Sequence, residues 1–503
     1  MPPLAALADI RASLGGLLPE ALLTAGLVGA VLLSLPRHPA AARAVPVLTV
    51  LTLLAAALAL AVQPDAAAFF QQMLVTDAPA RTGGILVALA GLLVSGFGFR
   101  VSGTPNASQL ATRNSTLVLA MVLGAILLTR AVHGIVLVLA VELLSIPSYA
   151  LVLTRRDDPR AARAALNYLL LGAVATGALL YGLSLLYGLT GSLHFATDPF
   201  WLHLSQAPTA PVVLALGLVL AGLLFKLGAA PLHFWAPDAY QAAPLPVALL
   251  LSTAPKMAAA VALWRLHEAA TGGLPALAAG AFGLLFTAAA LLSLLVGTLG
   301  ALTQPNIRRL LACSSIAQAG FVLLAIRGAS ATSVGPVLLY ITFLLLANGC
   351  VFAGVAFFEQ RVSPDESSKT SHPAPGNSKA LFSGLGRRFP LPAVALTIGL
   401  VALTGLPPTV GFSAKLLAFT ALWQADASPL GRALLGVGLA ATVGSLFFYL
   451  RLPYWLFLKE EAEGREASEK RPSRAIAGLA AGLAGLTVLA FLRAEWVMAL
   501  LMR

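Results

Sequence analysis

Apolar residues run through this chain in long blocks, each closed by glycine, proline or charge. The blocks fall at residues 15–34, 44–63, 83–100, 114–131, 133–153, 163–189 and 210–230, then 244–267, 275–302, 308–327, 331–358, 391–420, 430–456 and 474–499. A hydrocarbon core of about 30 Å takes about 20 apolar residues to cross as a helix, and every block approaches or exceeds that length. The blocks are rich in Ala and Leu and lack the ten-residue alternation of an outer-membrane barrel. The pattern predicts an all-α polytopic membrane protein with about 14 transmembrane helices.

Composition fits that reading. Hydrophobic residues make up 59% of the 503 and charged residues only 10%, with a mean hydropathy of +0.89. A net charge of +12 would suggest nucleic acid in a soluble protein. Here most basic residues lie in connections between apolar blocks, so they report topology and no nucleic-acid partner is expected. With the connections and block ends assigned alternately to two sides, one side carries 20 of the Lys and Arg residues, including Arg155, Arg156, Arg160, Arg163, Arg308 and Arg309; the other carries 8, and 4 (Lys226, Lys256, Lys415 and Arg451) lie within blocks clear of their ends. The positive-inside rule then puts both termini on the periplasmic side of a bacterial inner membrane. No basic leader precedes a small-residue cleavage site, so the first block reads as a retained helix. Cys313 and Cys350 sit inside apolar blocks without metal or redox spacing, so neither disulfide nor metal is expected.

The organisation reads as four parts. Residues 1–113 form an N-terminal three-helix segment, 114–267 a first five-helix unit, 275–456 a second, and 457–503 a loop and the last helix. A hydrophilic connection at 359–390 interrupts the second unit. Because five is odd, spans 4–8 and 9–13 would form two inverted repeats. In the seventh span Lys226 is followed by Gly228 and Pro231; in the twelfth, Gly405, Pro407 and Pro408 precede Lys415. Helix breaks at matching places in inverted halves point to a transport site. Both spans are therefore expected to be discontinuous, with the breaker and the lysine in opposite order.

Candidate chemistry follows from charge in the wrong solvent. Glu142, Lys226, Lys256 and Lys415 lie inside apolar blocks, where a charge costs about 2.5 to 3.5 kcal/mol at the centre of a lipid-facing helix. Such residues should face protein or water and have partners. An approach of Glu142 to Lys226 within about 4 to 6 Å would let each support the other's charge, and separation would withdraw that support. A water-joined row of the three lysines could then pass protons along the membrane plane. The plainer readings are a structural Glu142–Lys226 pair, a snorkelling Lys256, and a Lys415 that bonds carbonyls freed by the break. His233, with Trp235 and Asp238, lies in the Pro-rich connection and could be an anchor. His133 stands at a helix mouth, Arg451 near a helix end where it could snorkel, and Glu20 where it would complement a helix dipole. No phosphate loop, haem motif or nucleophile elbow is present in the sequence.

The stretches Leu18-Pro19-Glu20, Val141 to Tyr149, Phe225 to Pro244, Ala254 to Lys256, Asn306 to Ile316, Gly405 to Lys415 and Tyr449 to Arg451 span nearly the whole chain. With them the chain resembles the antiporter-like membrane subunits of respiratory complex I, the proton-translocating NADH-quinone oxidoreductase, and most closely their subunit N branch. The resemblance implies a fourteen-helix fold with two inverted five-helix repeats and a proton channel whose charged residues fall here on Glu142, Lys226, Lys256 and Lys415. It also implies no cofactor in this chain, with NAD(H), FMN, Fe–S clusters and quinone elsewhere in the complex, and neighbouring complex I membrane subunits as partners in the bilayer. The family commonly has histidine where Gln318 stands and often glutamate at Gln241. A glutamine cannot carry a proton, so a relay past Gln318 would use water. A subunit of a multi-subunit cation/proton antiporter, a membrane-bound hydrogenase subunit and a structural scaffold are the competing readings.

Overall fold

The computed structural model describes residues 13–35, 41–97, 107–154, 158–329, 333–360, 382–460 and 473–502. The described helices are α1 (Leu18–Ser34), α2 (Ala41–Val62), α3 (Ala78–Gly96), α4 (Ala107–Arg130), α5 (Gly134–Val152), α6 (Pro159–Thr190), α7 (Asp198–Gln206), α8 (Thr209–Leu227), α9 (Trp235–Ala242) and α10 (Leu245–Gly273). They continue as α11 (Ala276–Thr303), α12 (Ile307–Gly328), α13 (Gly335–Glu359), α14 (Leu385–Arg388), α15 (Pro390–Thr404), α16 (Val410–Ala425), α17 (Pro429–Leu458), α18 (Arg474–Leu492) and α19 (Ala494–Leu501). Twelve are long and apolar enough to cross a membrane, and α1 and α15 are shorter apolar helices. Together they account for the fourteen expected blocks, and the chain is a multi-pass membrane protein.

Several blocks start where a polar side chain takes up free helix-end amides. Asp77 accepts from the Ala80 amide at 2.9 Å and Asn306 from the Arg308 amide at 2.9 Å, and Ser428 accepts from the Gly431 amide at 3.1 Å. The Asp77 cap explains why α3 starts at Ala78, ahead of the expected residue 83. Burial separates centre from rim. The apolar windows of α10, α12 and α13 are 100%, 94% and 89% buried, against 33% for α6, α17 and α18. The two helices that carry Lys256 and Gln318 are thus enclosed by the others.

Two features depart from the expected pattern. The connection after α2 forms a two-stranded antiparallel ribbon, β1 (Ala66–Phe69) and β2 (Leu74–Thr76), with Phe69 opposite Leu74. Beneath it, Arg130 is fully buried: it donates to Glu20 Oε1 at 2.6 Å, to Thr76 Oγ1 at 2.5 Å and to the Gly16 carbonyl at 2.9 Å. Glu20 is therefore one half of a buried ion pair that ties α1 to α4, in place of the expected dipole charge. Arg155, Arg156 and most of the 359–390 connection lie outside the described residues.

Candidate functional site

Both expected breaks are present, and both begin with a glycine in the left-handed region. Gly228 ends α8 at φ +69° and Gly405 ends α15 at φ +87°. An L side chain is strained at such angles. Cis peptides follow, at Ala230–Pro231 and Pro407–Pro408. A helix ended inside the bundle leaves carbonyls that only protein or water can satisfy.

Lys226 lies in the last turn of α8, 2% exposed. Its ammonium donates to Ser145 Oγ on α5, and Ser145 in turn donates to the Val141 carbonyl. The ammonium also stands over the rings of Phe225, at 5.0 Å, and Tyr149, at 5.5 Å. These rings belong to an aromatic group in which Tyr149 meets Tyr168 edge-on at 4.6 Å and Tyr168 stacks on Trp235 at 4.1 Å. Such faces hold a desolvated cation without a counter-ion. Glu142 lies one turn before Ser145, half-buried, and accepts from Thr176 Oγ1 of α6 at 2.6 Å. It makes no ion pair with Lys226 within 4.0 Å, although its charge acts on the lysine. Ser145 bonds Lys226 and Glu142 bonds Thr176, so the two charges act on one another through space.

Lys256 does not snorkel. Its ammonium is 3% exposed and donates to the Leu227 carbonyl at 2.5 Å and the Ser315 carbonyl of α12 at 2.9 Å. It thus satisfies the broken end of α8, where a cation also meets the negative pole of the helix. Ser293 assists by accepting from the Ala230 amide at 2.9 Å. Tyr240 joins α9 to Ser315 Oγ at 3.1 Å.

From Ser315 the polar row continues along α12. Ser314 shares a hydrogen bond with the Tyr449 hydroxyl of α17. Gln318 donates to the Leu403 carbonyl at 3.0 Å and to Tyr449 at 3.4 Å, and accepts from the Tyr340 hydroxyl at 2.6 Å. The next carbonyl, Thr404, accepts from Lys415 at 2.9 Å. Lys415 is 3% exposed and lies 4.2 Å from the centre of the Phe321 ring. The four sequence-predicted charges therefore fall in one buried row in the order Glu142, Lys226, Lys256, Lys415. Sequence reasoning missed the uncharged members: Thr176, Ser145, Tyr149, Tyr240, Ser314, Ser315, Tyr340 and Tyr449.

The accessory candidates lie off this row, except Gln318. His233 is half-buried in the first break, 4.5 Å from Phe234, with its Nδ1 unpartnered and no side-chain bond to either nearby lysine. His133 caps α5 through Nδ1, accepting from the Ile135 amide at 3.1 Å. Burial, with the His194 ring 4.3 Å away, holds its imidazole down at about 4, so it is neutral at neutral pH. Arg451 donates to the Leu302 carbonyl at 3.0 Å and the Gln304 carbonyl at 3.3 Å, closing the end of α11. Asp238 and Gln241 both accept from Arg309, each at 3.0 Å. Beside them Arg308 forks onto Glu359 at 2.6 and 3.0 Å, so this arginine pair links α9, α12 and α13.

The profile of the NADH:quinone oxidoreductase/Mrp antiporter transmembrane family matches residues 131–440, which hold all four charges. The chain belongs to this family. NADH-quinone oxidoreductase subunit N 2 of Chloroherpeton thalassium is 35% identical over 355 residues, 70% of this chain and 66% of that relative. The chain thus spans just under two thirds of that relative's length. NAD(P)H-quinone oxidoreductase subunit 2 of Trichormus variabilis is 33% identical over 91% of this chain and 85% of its own. A chain of respiratory complex I from Thermus thermophilus superposes with a TM-score of 0.77 at 30% identity, covering 96% of this chain and 98% of that one. With nearly the full length of both chains covered, the likeness is of the whole membrane fold.

Proposed function

We propose that this chain is a proton-translocating membrane-arm subunit of an NADH-quinone oxidoreductase, of the subunit N type, passing protons through Glu142, Lys226, Lys256 and Lys415. The observation that carries the reading is the buried row itself, in which Lys226, Lys256 and Lys415 are held by hydroxyls, aromatic faces and carbonyls of the two breaks, with Glu142 acting on Lys226. Lys226 is held by a hydroxyl and by aromatic faces, with no ion pair, so it can exchange a proton without leaving a paired charge stranded. A change at Glu142 reaches Lys226 through the electric field. Lys256 and Lys415 sit on the broken ends of α8 and α15, and Gln318, with Tyr449 and Tyr340, spans the ground between them. Gln318 orients the row but carries no proton, so water completes the transfer there.

Redox chemistry lies elsewhere in this reading. NAD(H), FMN, Fe–S clusters and quinone belong to other subunits, with neighbouring antiporter-like and small membrane subunits as partners in the bilayer. Spans 4–8 and 9–13 act as two inverted units at residues 114–267 and 275–456, after the 1–113 segment and before 457–503. The termini face the periplasm of a bacterial inner membrane, which places Arg308 and Arg309 on the cytoplasmic side.

The test is Lys226→Ala in inverted membrane vesicles, read as NADH-driven proton uptake beside quinone reduction and assembly of the complex. The expected result is an assembled complex with collapsed pumping. Wild-type pumping with Lys226 removed would sink the relay. Sodium-dependent transport that persists without NADH oxidation would replace it with an uncoupled antiporter.

A further inference from the structure

Eleven residues beyond Lys256 on α10 stands His267. Eleven residues carry a helix through three turns plus about 20°, so both side chains share one face, about 16 Å apart along the axis. His267 is 3% exposed and lies edge-on to Phe286 of α11 at 5.0 Å, and neither ring nitrogen has a hydrogen-bond partner. A core histidine kept for packing is ordinarily satisfied on at least one nitrogen, because an unmatched buried polar group bears its full desolvation cost. On α11 the ring meets Phe286, and the hydroxyl of the next residue, Thr287, is spent on the Gly283 carbonyl. The charge acting on the ring is Arg327, at the end of α12. On its own helix Arg265 is occupied by Asp77, at 2.5 and 2.7 Å, and Glu268 is the adjacent residue.

The same spacing recurs in the second half. Asp426 follows Lys415 by eleven residues, just past the end of α16, and pairs with Arg327 at 3.0 Å. Burial opposes the charge of Asp426, but hydrogen bonds from Ser428 and the nearby Arg327 and Arg432 hold its carboxyl below the usual range. It is therefore a lasting counter-ion. Arg327 packs against α11 at Gly283, one turn from Phe286. Both lysine-bearing helices thus lead, at equal distance, to one guanidinium where α10, α12 and α16 end.

We infer that His267 is a proton-release station for the Lys256 branch, on the face where these helices end, and that the Arg327–Asp426 pair beside it blocks return. The inference rests on the relay proposed above. A proton leaving the Lys256 ammonium passes through water to one ring nitrogen, and the other nitrogen gives its proton to water outside, so the imidazole is regenerated on ring reorientation. A fixed guanidinium at the mouth repels cations that approach from outside.

The experiment compares His267→Phe, His267→Glu and Arg327→Gln in the assembled complex in membrane vesicles, measuring proton uptake per NADH, gradient decay and assembly. His267→Phe keeps an aromatic body against Phe286 and should assemble, with pumping slowed about tenfold or more. His267→Glu, which can still carry a proton, should recover part of the pumping. Arg327→Gln should pump at first but lose its gradient faster. Unaltered pumping in His267→Phe while Lys226→Ala is dead overturns this inference alone. Equal loss of assembly in both His267 variants makes the histidine structural and overturns it as well. Normal pumping in Lys226→Ala removes the relay and this station together.

Discussion

The two breaks look like copies in sequence and are bonded differently in space. At the first, Lys226 precedes Gly228 and donates to a side-chain hydroxyl, while the carbonyl freed by the break goes to another lysine, Lys256. At the second, Lys415 follows Gly405 and takes the freed Thr404 carbonyl itself. By bonding, Lys415 is therefore the counterpart of Lys256, and Lys226 has none. The division separates duties. Two lysines hold broken helix ends in place, and the third, resting on a hydroxyl and two aromatic rings, is tied to no backbone. The half with the unpinned lysine is also the half with a carboxylate in reach, which suits it to start a proton movement that the other half receives.

This comparison can be broken most forcefully at Lys256. Replacing it with Met strips the donor from the Leu227 carbonyl freed by the break, worth about 1 to 3 kcal/mol when unsatisfied, and also removes the second bond to the Ser315 carbonyl that joins α10 to α12. The expected outcome is a large fall in the thermal stability of the solubilised complex along with loss of pumping. Lys415→Met exposes one carbonyl and should lower the melting temperature by less. Lys226→Met should lower it least, since Ser145 keeps its bond to Val141, yet should stop pumping as completely. A stability ranking with Lys226 first would reverse the division of duties.

Next in size are the glycines. At Gly405 an added Cβ would lie 2.6 Å from Cδ of Lys415, while at Gly228 the nearest atom is Nζ of Lys256 at 3.3 Å, and both positions have positive φ. Each alanine should cost about 1 kcal/mol or more for the backbone alone, and Gly405→Ala should destabilise further than Gly228→Ala because of its closer contact; thermal unfolding of the two variants side by side checks the order. Ser145→Ala sharpens the comparison at lower cost. It removes the hydroxyl that holds the Lys226 ammonium, so pumping should slow severalfold with assembly and melting temperature unchanged. Wild-type pumping in this variant would show that this hydroxyl takes no part in proton exchange at Lys226.

The smallest effect belongs to His133, outside the row. Its pKa lies near 4 in the folded chain against about 6.5 unfolded. The unfolded state then binds more protons between these values, so the contribution of His133 is complete above about pH 6.5 and declines as pH falls toward 4. His133→Asn keeps a capping oxygen, and amide exchange at the start of α5 should lose part of its acid sensitivity in that variant.

The four charges and both breaks were legible because each violates its surroundings: a charge in an apolar block, or a glycine and proline where a helix should continue. The bonding was not. Serine and tyrosine are ordinary in buried helices, so Ser145, Ser315, Tyr240 and Tyr449 carry no local mark, and only packing brings them onto the row. Which group takes a freed carbonyl also depends on helices far apart in sequence, as Lys256 and Leu227 show. Arg130 was not legible for a different reason. It closes an apolar block and so reads as a connection residue, whereas its partner Glu20 lies 110 residues earlier. The ribbon beneath which it sits begins Ala66-Ala67-Ala68-Phe69, a run with no strand alternation.

That buried arginine bears on where the chain can be cut. The family profile begins at residue 131, directly after Arg130, and the partners of this arginine named above all belong to residues before α3. A fragment begun at α4 would carry this guanidinium stripped of Glu20, Thr76 and the Gly16 carbonyl, and a buried charge that has lost its partner is strongly destabilising.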